Sequence, residues 1–266
     1  MRFTNKDPIQ DNYLIPLKNK EWLEKQRAAG KIAAGALSLL DKLVKEKTNL
    51  SCIELNNLAE EYITSHGATP TFKGYKGFPA GVCISINKEL VHGIPKDYKL
   101  QDGDIVTFDL GATVDGAIAD SAITCIYGEP KSELHVKLVK VTEEALNKAI
   151  ESIKVGNRLG CIGNAIHKHI KNNGFATIEK YAGHGISYHC PHDAPFVANK
   201  ANINEGIVIQ PGLSIAIEPL AIIGDTYTYI ANDKWTVLGH NLSSHHEHSI
   251  FVHEDYVEVL TLRDNL

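Results

Sequence analysis

Several features are missing from this 266-residue chain, and each absence removes a class of function. No uninterrupted apolar run approaches the ~20 residues that a membrane-spanning helix needs. The start, Met1-Arg2-Phe3-Thr4-Asn5-Lys6-Asp7-Pro8, lacks the apolar core of a signal peptide, so a cytoplasmic protein is expected. Basic charge is not in excess. The 27 Lys and Arg stand against 32 Asp and Glu, a net charge of −5, without the basic footprint of a nucleic-acid binder. The five cysteines (Cys52, Cys83, Cys125, Cys161 and Cys190) are odd in number and never spaced Cys-x-x-Cys. A disulfide framework and a thiolate zinc site are therefore disfavoured, and buried free thiols are expected.

Hydrophobic residues at 43% and charged residues at 22% fit a globular chain with a sizeable core, either one large domain or two small ones. Residues 1–19 are polar and read as an extension ahead of a single domain, 20–266. From Glu21 to Lys47 apolar residues recur at helical spacing. Ser51-Cys52-Ile53-Glu54 has the form of a capping box and opens a second helix that stops at Gly67. Residues 69–81 read as a shaped aromatic loop, and Val82–Ile86 as a short strand. Ile105–Thr113 and Ala117–Tyr127 read as a hairpin turning at Asp115-Gly116. Two further helices, 131–152 and 159–172, precede short β-prone runs around Ile178, Ala182–Ile186, Ile207–Gln210, Leu213–Leu220, Thr226–Ile230, Trp235–Val237 and His248–Val252. Helices followed by antiparallel strands occur twice, which suggests two similar halves near 20–127 and 131–260.

Chemistry concentrates where charge sits inside apolar strands. Asp109 lies in Ile105-Val106-Thr107-Phe108-Asp109-Leu110, and Asp120 in the run that follows the hairpin turn. An ionised carboxylate is costly to bury alone, so such residues pair, sit at a strand end or bind a cation. The bland alternative is one surface aspartate and one capping aspartate. Glu218 closes Leu213–Ile217 just before Pro219, and Glu247 leads into Ser249–Val252. His184 stands between two glycines, which either shape a tight turn or leave room beside the imidazole. Four carboxylates and one imidazole suit cobalt, manganese, iron(II) or zinc, and their summed charge exceeds that of one divalent ion, so two metals are expected. Histidines 240, 245, 246 and 248 read either as adventitious metal binders or, more commonly for such residues, as solvated.

The chain resembles the type I methionine aminopeptidases, whose pita-bread fold is shared with prolidase, aminopeptidase P and creatinase. The resemblance runs over about residues 20–260. It is carried by Phe72-Lys73-Gly74-Tyr75-Lys76-Gly77-Phe78-Pro79, Ser85-Ile86-Asn87 through His92-Gly93-Ile94-Pro95, Asp102-Gly103-Asp104 through Asp109, Asp115-Gly116 through Asp120, Gly183-His184-Gly185-Ile186, Ile217-Glu218-Pro219 and His246-Glu247-His248-Ser249-Ile250. It implies an α+β fold, two pseudo-symmetric halves with a central antiparallel sheet covered by helices. It also implies a metal-dependent hydrolase that removes initiator methionine ahead of a small second residue. By position, Asp109, Asp120, His184, Glu218 and Glu247 match the ligands of a dinuclear centre, Asp120 and Glu247 bridging. His92 and His192 match two substrate-contacting catalytic histidines, and Glu218 a proton shuttle. Phe72, Tyr75, Phe78, Cys83 and Trp235 match the methionine side-chain pocket.

The chain departs from the bacterial pattern in places. One extra residue separates His184 from His192, and Ser187 stands where glycine is common, which leaves His189 as an alternative to His192. Ile118-Ala119-Asp120-Ser121-Ala122 is closer to the type II branch, but 192–218 is too short for that branch's helical insert. The partners implied are nascent polypeptide N-termini, with residues 1–19 available for docking on a partner such as the ribosome, and the chain is expected to be a monomer. A proline-specific relative and a non-catalytic binding module are the competing readings.

Overall fold

A computed structural model describes residues 15–263, so residues 1–14 of the expected extension lie outside the described residues. Two helices come first, α1 (Lys20–Lys45) and α2 (Cys52–Ser65). The strands β1 (Thr69–Pro70), β2 (Val82–Ile86), β3 (Glu89–Val91), β4 (Ile105–Val114) and β5 (Ala117–Ile126) follow. Then come α3 (Glu133–Glu151), α4 (Gly160–Asn172), β6 (Ala176–Thr177), β7 (Gly183–Ser187), β8 (Cys190–Val197) and β9 (Ser214–Ile217). The last strands are β10 (Leu220–Ile222), β11 (Thr228–Ile230), β12 (Val237–Gly239), β13 (Ser243–His245), β14 (Glu247–Val252) and β15 (Val257–Val259).

Local chemistry explains where the helices begin and which face they bury. Asn19 caps α1 by accepting the Trp22 N–H at 2.9 Å. Trp22, Ala29, Ala33, Leu37, Leu40 and Val44 form its buried stripe. At α2 the Ser51 hydroxyl accepts from Glu54 N while the Glu54 carboxylate accepts from Ser51 N, the reciprocal pair that the sequence predicts. The β4–β5 hairpin turns at Asp115 and Gly116, with φ of 47° and 81°, the left-handed pair that a tight hairpin turn requires.

The main sheet is antiparallel, in the order β1-β4-β5-β14-β9-β7-β8, with β2 added to β4 and β15 to β14. Side-chain alternation divides its residues between two uses. Val106, Phe108 and Leu110 of β4 join Leu37, Leu40 and Leu55 in a core beneath α1 and α2. Ile215 and Ile217 of β9, with Ile250 and Val252 of β14, join Leu138, Ile162 and Ile166 beneath α3 and α4. Helices thus cover one face, and the alternate residues are left for the other.

One strand was not expected and two expected strands differ. β8 contains Pro191 and Pro195, which argue against a central strand; it is tolerated because it lies at the sheet edge. The run 207–210 makes only a single bridge, Arg158 to Val208. Leu213–Leu220 is cut at Glu218-Pro219, where proline has no N–H to give, and its two parts enter different sheets. Among the cysteines, Cys52, Cys83 and Cys161 are buried and all five are free.

Candidate metal centre

Strand register brings the acidic residues together. Asp109 pairs across β4–β5 with Ala122, and Ala122 pairs across β5–β14 with Glu247. Directly opposed residues point to one face, so Asp109 and Glu247 share it. Asp120, two residues before Ala122, shares it too. On the far side, His184 pairs with Ala216 and Ala216 with Ser249, which has the parity of Glu247. Glu218 follows β9 with the parity of Ala216. Five residues from four strands and one strand end therefore converge on the face the helices leave uncovered.

His184 Nε2 lies 3.6 Å from Glu218 Oε1, 3.9 Å from Glu247 Oε1 and 4.0 Å from Asp120 Oδ2. Its Nδ1 is 3.1 Å from the Gly185 carbonyl, so the ring donates there and turns the Nε2 lone pair to the carboxylates. Among the described residues, three groups have ligand atoms within 4.8 Å of one another: Asp109–Asp120–Glu247 and His184–Glu218–Glu247, which share Glu247, and Asp120–His184–His192, which joins the two. Asp120 is 1% exposed and Glu247 2%. Asp109 Oδ1, Asp120 Oδ1 and Glu247 Oε1 are buried without a hydrogen-bond partner.

The electrostatics match. Burial, with Asp120 beside it, pushes Glu218 up to about 8, and burial pushes Asp120 up to about 7. Burial and neighbouring carboxylates hold Asp109 and Glu247 well above the usual range. Among the described residues, the ion-pair partners of Asp120, Glu218 and Glu247 are imidazoles, not Lys or Arg. Clustered carboxylates with orphaned oxygens and no Lys or Arg ion pair among the described residues are a donor set that divalent cations fit.

The other predicted residues line the same cavity. His92 sits at φ 59°, just before Gly93, whose carbonyl accepts from the Ile84 N–H and whose N–H donates to Ser85 Oγ, and burial lowers His92 to about 4. The His192 ring is 4.4 Å from His184, and burial, then the neighbouring His184 and His92, lower it to about 2. His189 is elsewhere: it occupies the β7–β8 turn at φ 57°, with its ring against Gly116. The cavity is lined by His192 and not by His189. Phe72, Phe78, Ala80 and Cys83 form one apolar cluster against which Trp235 packs, Phe78 and Trp235 edge to face at 5.2 Å. Tyr75 lies 5.5 Å from His192.

Two expectations need correction. The glycines flanking His184 do not leave space for a ligand. A Cβ on Gly185 would fall 1.9 Å from the Ala194 carbonyl oxygen, and one on Gly183 would fall 2.3 Å from that of Ala216. They are small because β8 and β9 press on β7 from both sides. Second, His245, His246 and His248 are buried: β14 lies between β5 and β9, and β13, though an edge strand, is covered by α3 and by β4 and β5; His240 alone of the four is exposed. Lys76, Lys180, Tyr181 and Phe196 also line the cavity without having been singled out. Tyr181 and Lys180 directly precede Ala182-Gly183-His184, and that proximity was their available signal.

The chain matches the model of metallopeptidase family M24 over residues 24–254. A methionine aminopeptidase of Mycoplasma capricolum is 41% identical over 250 residues, 93% of this chain and 98% of that one. One from Clostridium perfringens is 39% identical, covering 94% and 99%. The crystal structure of methionine aminopeptidase from Rickettsia prowazekii superposes with a TM-score of 0.89 at 35% identity, over 94% of this chain and all of that one. Prolidase from Pyrococcus furiosus shares the fold at a TM-score of 0.73 and 22% identity, but this chain spans only 66% of it. With the pita-bread sheet, the buried carboxylate cluster and these near-full-length matches in agreement, the chain belongs to metallopeptidase family M24, among the methionine aminopeptidases.

Proposed function

We propose that this protein is a metal-dependent aminopeptidase that removes N-terminal methionine from polypeptides with a small second residue. One observation carries the reading: a cluster of buried, uncompensated carboxylates and one imidazole opens onto a recess of aromatic rings and a thiol. The sharing of Glu247 between two ligand groups supports a centre of two ions, drawn from cobalt, manganese, iron(II) or zinc. Asp109, Asp120 and Glu247 would hold one, and His184, Glu218 and Glu247 the other. Bound there, the ions supply Lewis-acid activation of water and of the substrate carbonyl.

The remaining steps belong to the side chains. Phe72, Tyr75, Phe78, Cys83 and Trp235 take the methionine side chain, whose thioether suits an aromatic, soft-sulfur recess. His92 and His192, held neutral by burial, donate hydrogen bonds to the carbonyl oxygen as it gains charge. Glu218 takes the proton of the attacking water and passes it to the leaving amine. The substrates are the N-termini of nascent chains, met at the ribosome by a cytoplasmic monomer. No helix among the described residues is long and apolar enough to cross a membrane.

Methionine release from Met-Ala-Ser, with cobalt, manganese or iron(II) supplied and then with chelator added, tests the reading. Chelator-sensitive release is expected, with Xaa-Pro dipeptides left intact. No turnover with any of the ions, or preference for Xaa-Pro, would overturn it.

A further inference from the structure

Two imidazoles face the Glu218–Glu247 pair. His184 Nε2 approaches their Oε1 atoms, at 3.6 and 3.9 Å. His245 Nε2 approaches their Oε2 atoms, at 3.6 and 3.9 Å. His245 is 2% exposed, and neither of its ring nitrogens has a hydrogen-bond partner. A fully buried imidazole is ordinarily hydrogen-bonded, so an orphan aimed at two carboxylates needs a reason.

Its position is built from several directions. The β10–β13 register sets His245 opposite Leu220, two residues beyond Glu218. Its N–H donates to Thr124 Oγ1 at 2.9 Å, and its carbonyl accepts from the same hydroxyl at 2.6 Å. Thr124 is held in turn by Thr107 at 2.9 Å. The backbone of His245 is thus held by the strands that carry Asp109 and Asp120. Yet its ring is outside the groups whose ligand atoms lie mutually within 4.8 Å. It meets the Oε2 atoms of the two carboxylates, the oxygens other than those His184 approaches.

We propose that His245 is a positioning residue for this centre: its Nε2–H donates to the outer oxygens of Glu218 and Glu247 and keeps their inner oxygens turned toward His184. The 3.6 Å separation from Glu218 is about 0.4 Å beyond hydrogen-bond range, a gap that a small side-chain rotation closes. Carboxylates that hold a metal are themselves held by hydrogen bonds, and loss of such a partner weakens metal binding by about 10–100-fold. The inference rests on the reading of the site as a metal centre.

Cobalt titration by calorimetry, with the visible spectrum of the cobalt-loaded protein, tests it in His245→Phe and His245→Gln. The Phe variant removes the donor and is expected to bind cobalt about 10–100-fold more weakly, with shifted ligand-field bands. The Gln variant keeps an N–H donor and is expected to recover affinity and spectrum. Wild-type affinity and bands in His245→Phe would overturn the proposal, as would a Gln variant no better than Phe. If His245→Phe does not fold, the long-range proton–nitrogen NMR spectrum of zinc-loaded wild-type protein decides: a proton on Nε2 is expected, and one on Nδ1 with Nε2 bare overturns it. Failure of the wild-type protein to bind cobalt would instead sink the metal-centre reading itself.

Discussion

Glu247 belongs to two of the three ligand groups, and one of its oxygens is buried with no hydrogen-bond partner, so its replacement separates charge from shape. In Glu247→Gln, kcat/KM is expected to fall by more than about 100-fold, the scale on which lost metal affinity acts. A cation present at 100 times its Kd stabilises a fold by about 2.7 kcal/mol, so cobalt should raise the melting temperature of the wild type and leave that of the variant unmoved. Calorimetric scans with and without metal read both. Asp104 shows the opposite electrostatics. Burial pushes its carboxyl up, but hydrogen bonds from Asn87 at 2.9 Å, the Gln101 N–H at 2.9 Å and the Tyr98 hydroxyl at 2.7 Å outweigh burial and hold it below the usual range. A lowered folded pKa contributes stability that is present above the unfolded value, about 3.9, and is lost as pH falls through the folded one. Asp104→Asn should therefore cost about 1–3 kcal/mol in urea unfolding at pH 7, with the difference from wild type shrinking as the pH drops below about 4. An equal difference at both pH values would contradict this assignment. Both roles are readable from sequence only in part. A carboxylate inside an apolar strand announces itself, whereas Asp104 in Asp-Gly-Asp looks like ordinary turn chemistry until its three donors are seen.

At the scale of elements, β7 shows what its two glycines are for. Ala194 and Ala216 carbonyls press on Gly185 and Gly183, and both glycines lie outside the positive-φ region that turns use. Gly185→Ala is expected to cost roughly 1–3 kcal/mol through overpacking and to displace the His184 ring. Thermal unfolding and cobalt titration on the same variant check it, since a stable, tightly binding variant would show that the strand gives way. Elements with a local cause were legible beforehand: the capping box of α2, the Asp-Gly hairpin, the amphipathic stripe of α1. β8 was not, because two prolines within eight residues argue against a strand unless its edge position is known. The buried histidines of β13 and β14 were missed for a similar reason. Polar residue types suggest solvent, and only the packing of β13 under α3 and of β14 between β5 and β9 places them inside.

For the molecule as a whole, the junction between β5 and β14 matters most. These strands pair at only two positions, Glu247 with Ala122 and His248 with Ser121, whereas β4 and β5 pair continuously from Ile105–Ile126 to Val114–Ala117. Side chains reinforce the junction: Asp120 N–H donates to Ser249 Oγ at 2.8 Å, Ser249 Oγ donates to the Asp120 carbonyl at 2.8 Å, and Ser121 Oγ donates to the Glu247 carbonyl at 2.7 Å. The candidate ligands straddle it. Chelation is therefore expected to speed amide exchange in residues 118–122 and 247–250 while α2, far from the junction, keeps its protection. Hydrogen–deuterium exchange followed by mass spectrometry reads both segments, and uniform exchange with and without chelator would show that metal does not brace this joint.

The sequence by itself determined the helices, the first hairpin and the residue types of the centre, because caps, periodicity and charge buried in apolar runs are local properties. Near-full-length motif order was enough to identify the family resemblance. Tertiary structure alone decided which residues meet. It set Asp109 and Glu247 on one face through Ala122, placed His192 and not His189 in the cavity lining, filled the space beside the His184 glycines with backbone and buried His245 beside Glu218 and Glu247. Each of those outcomes depends on register between strands distant in the chain, and register is set by the whole sheet closing on its cores, not by any segment read alone.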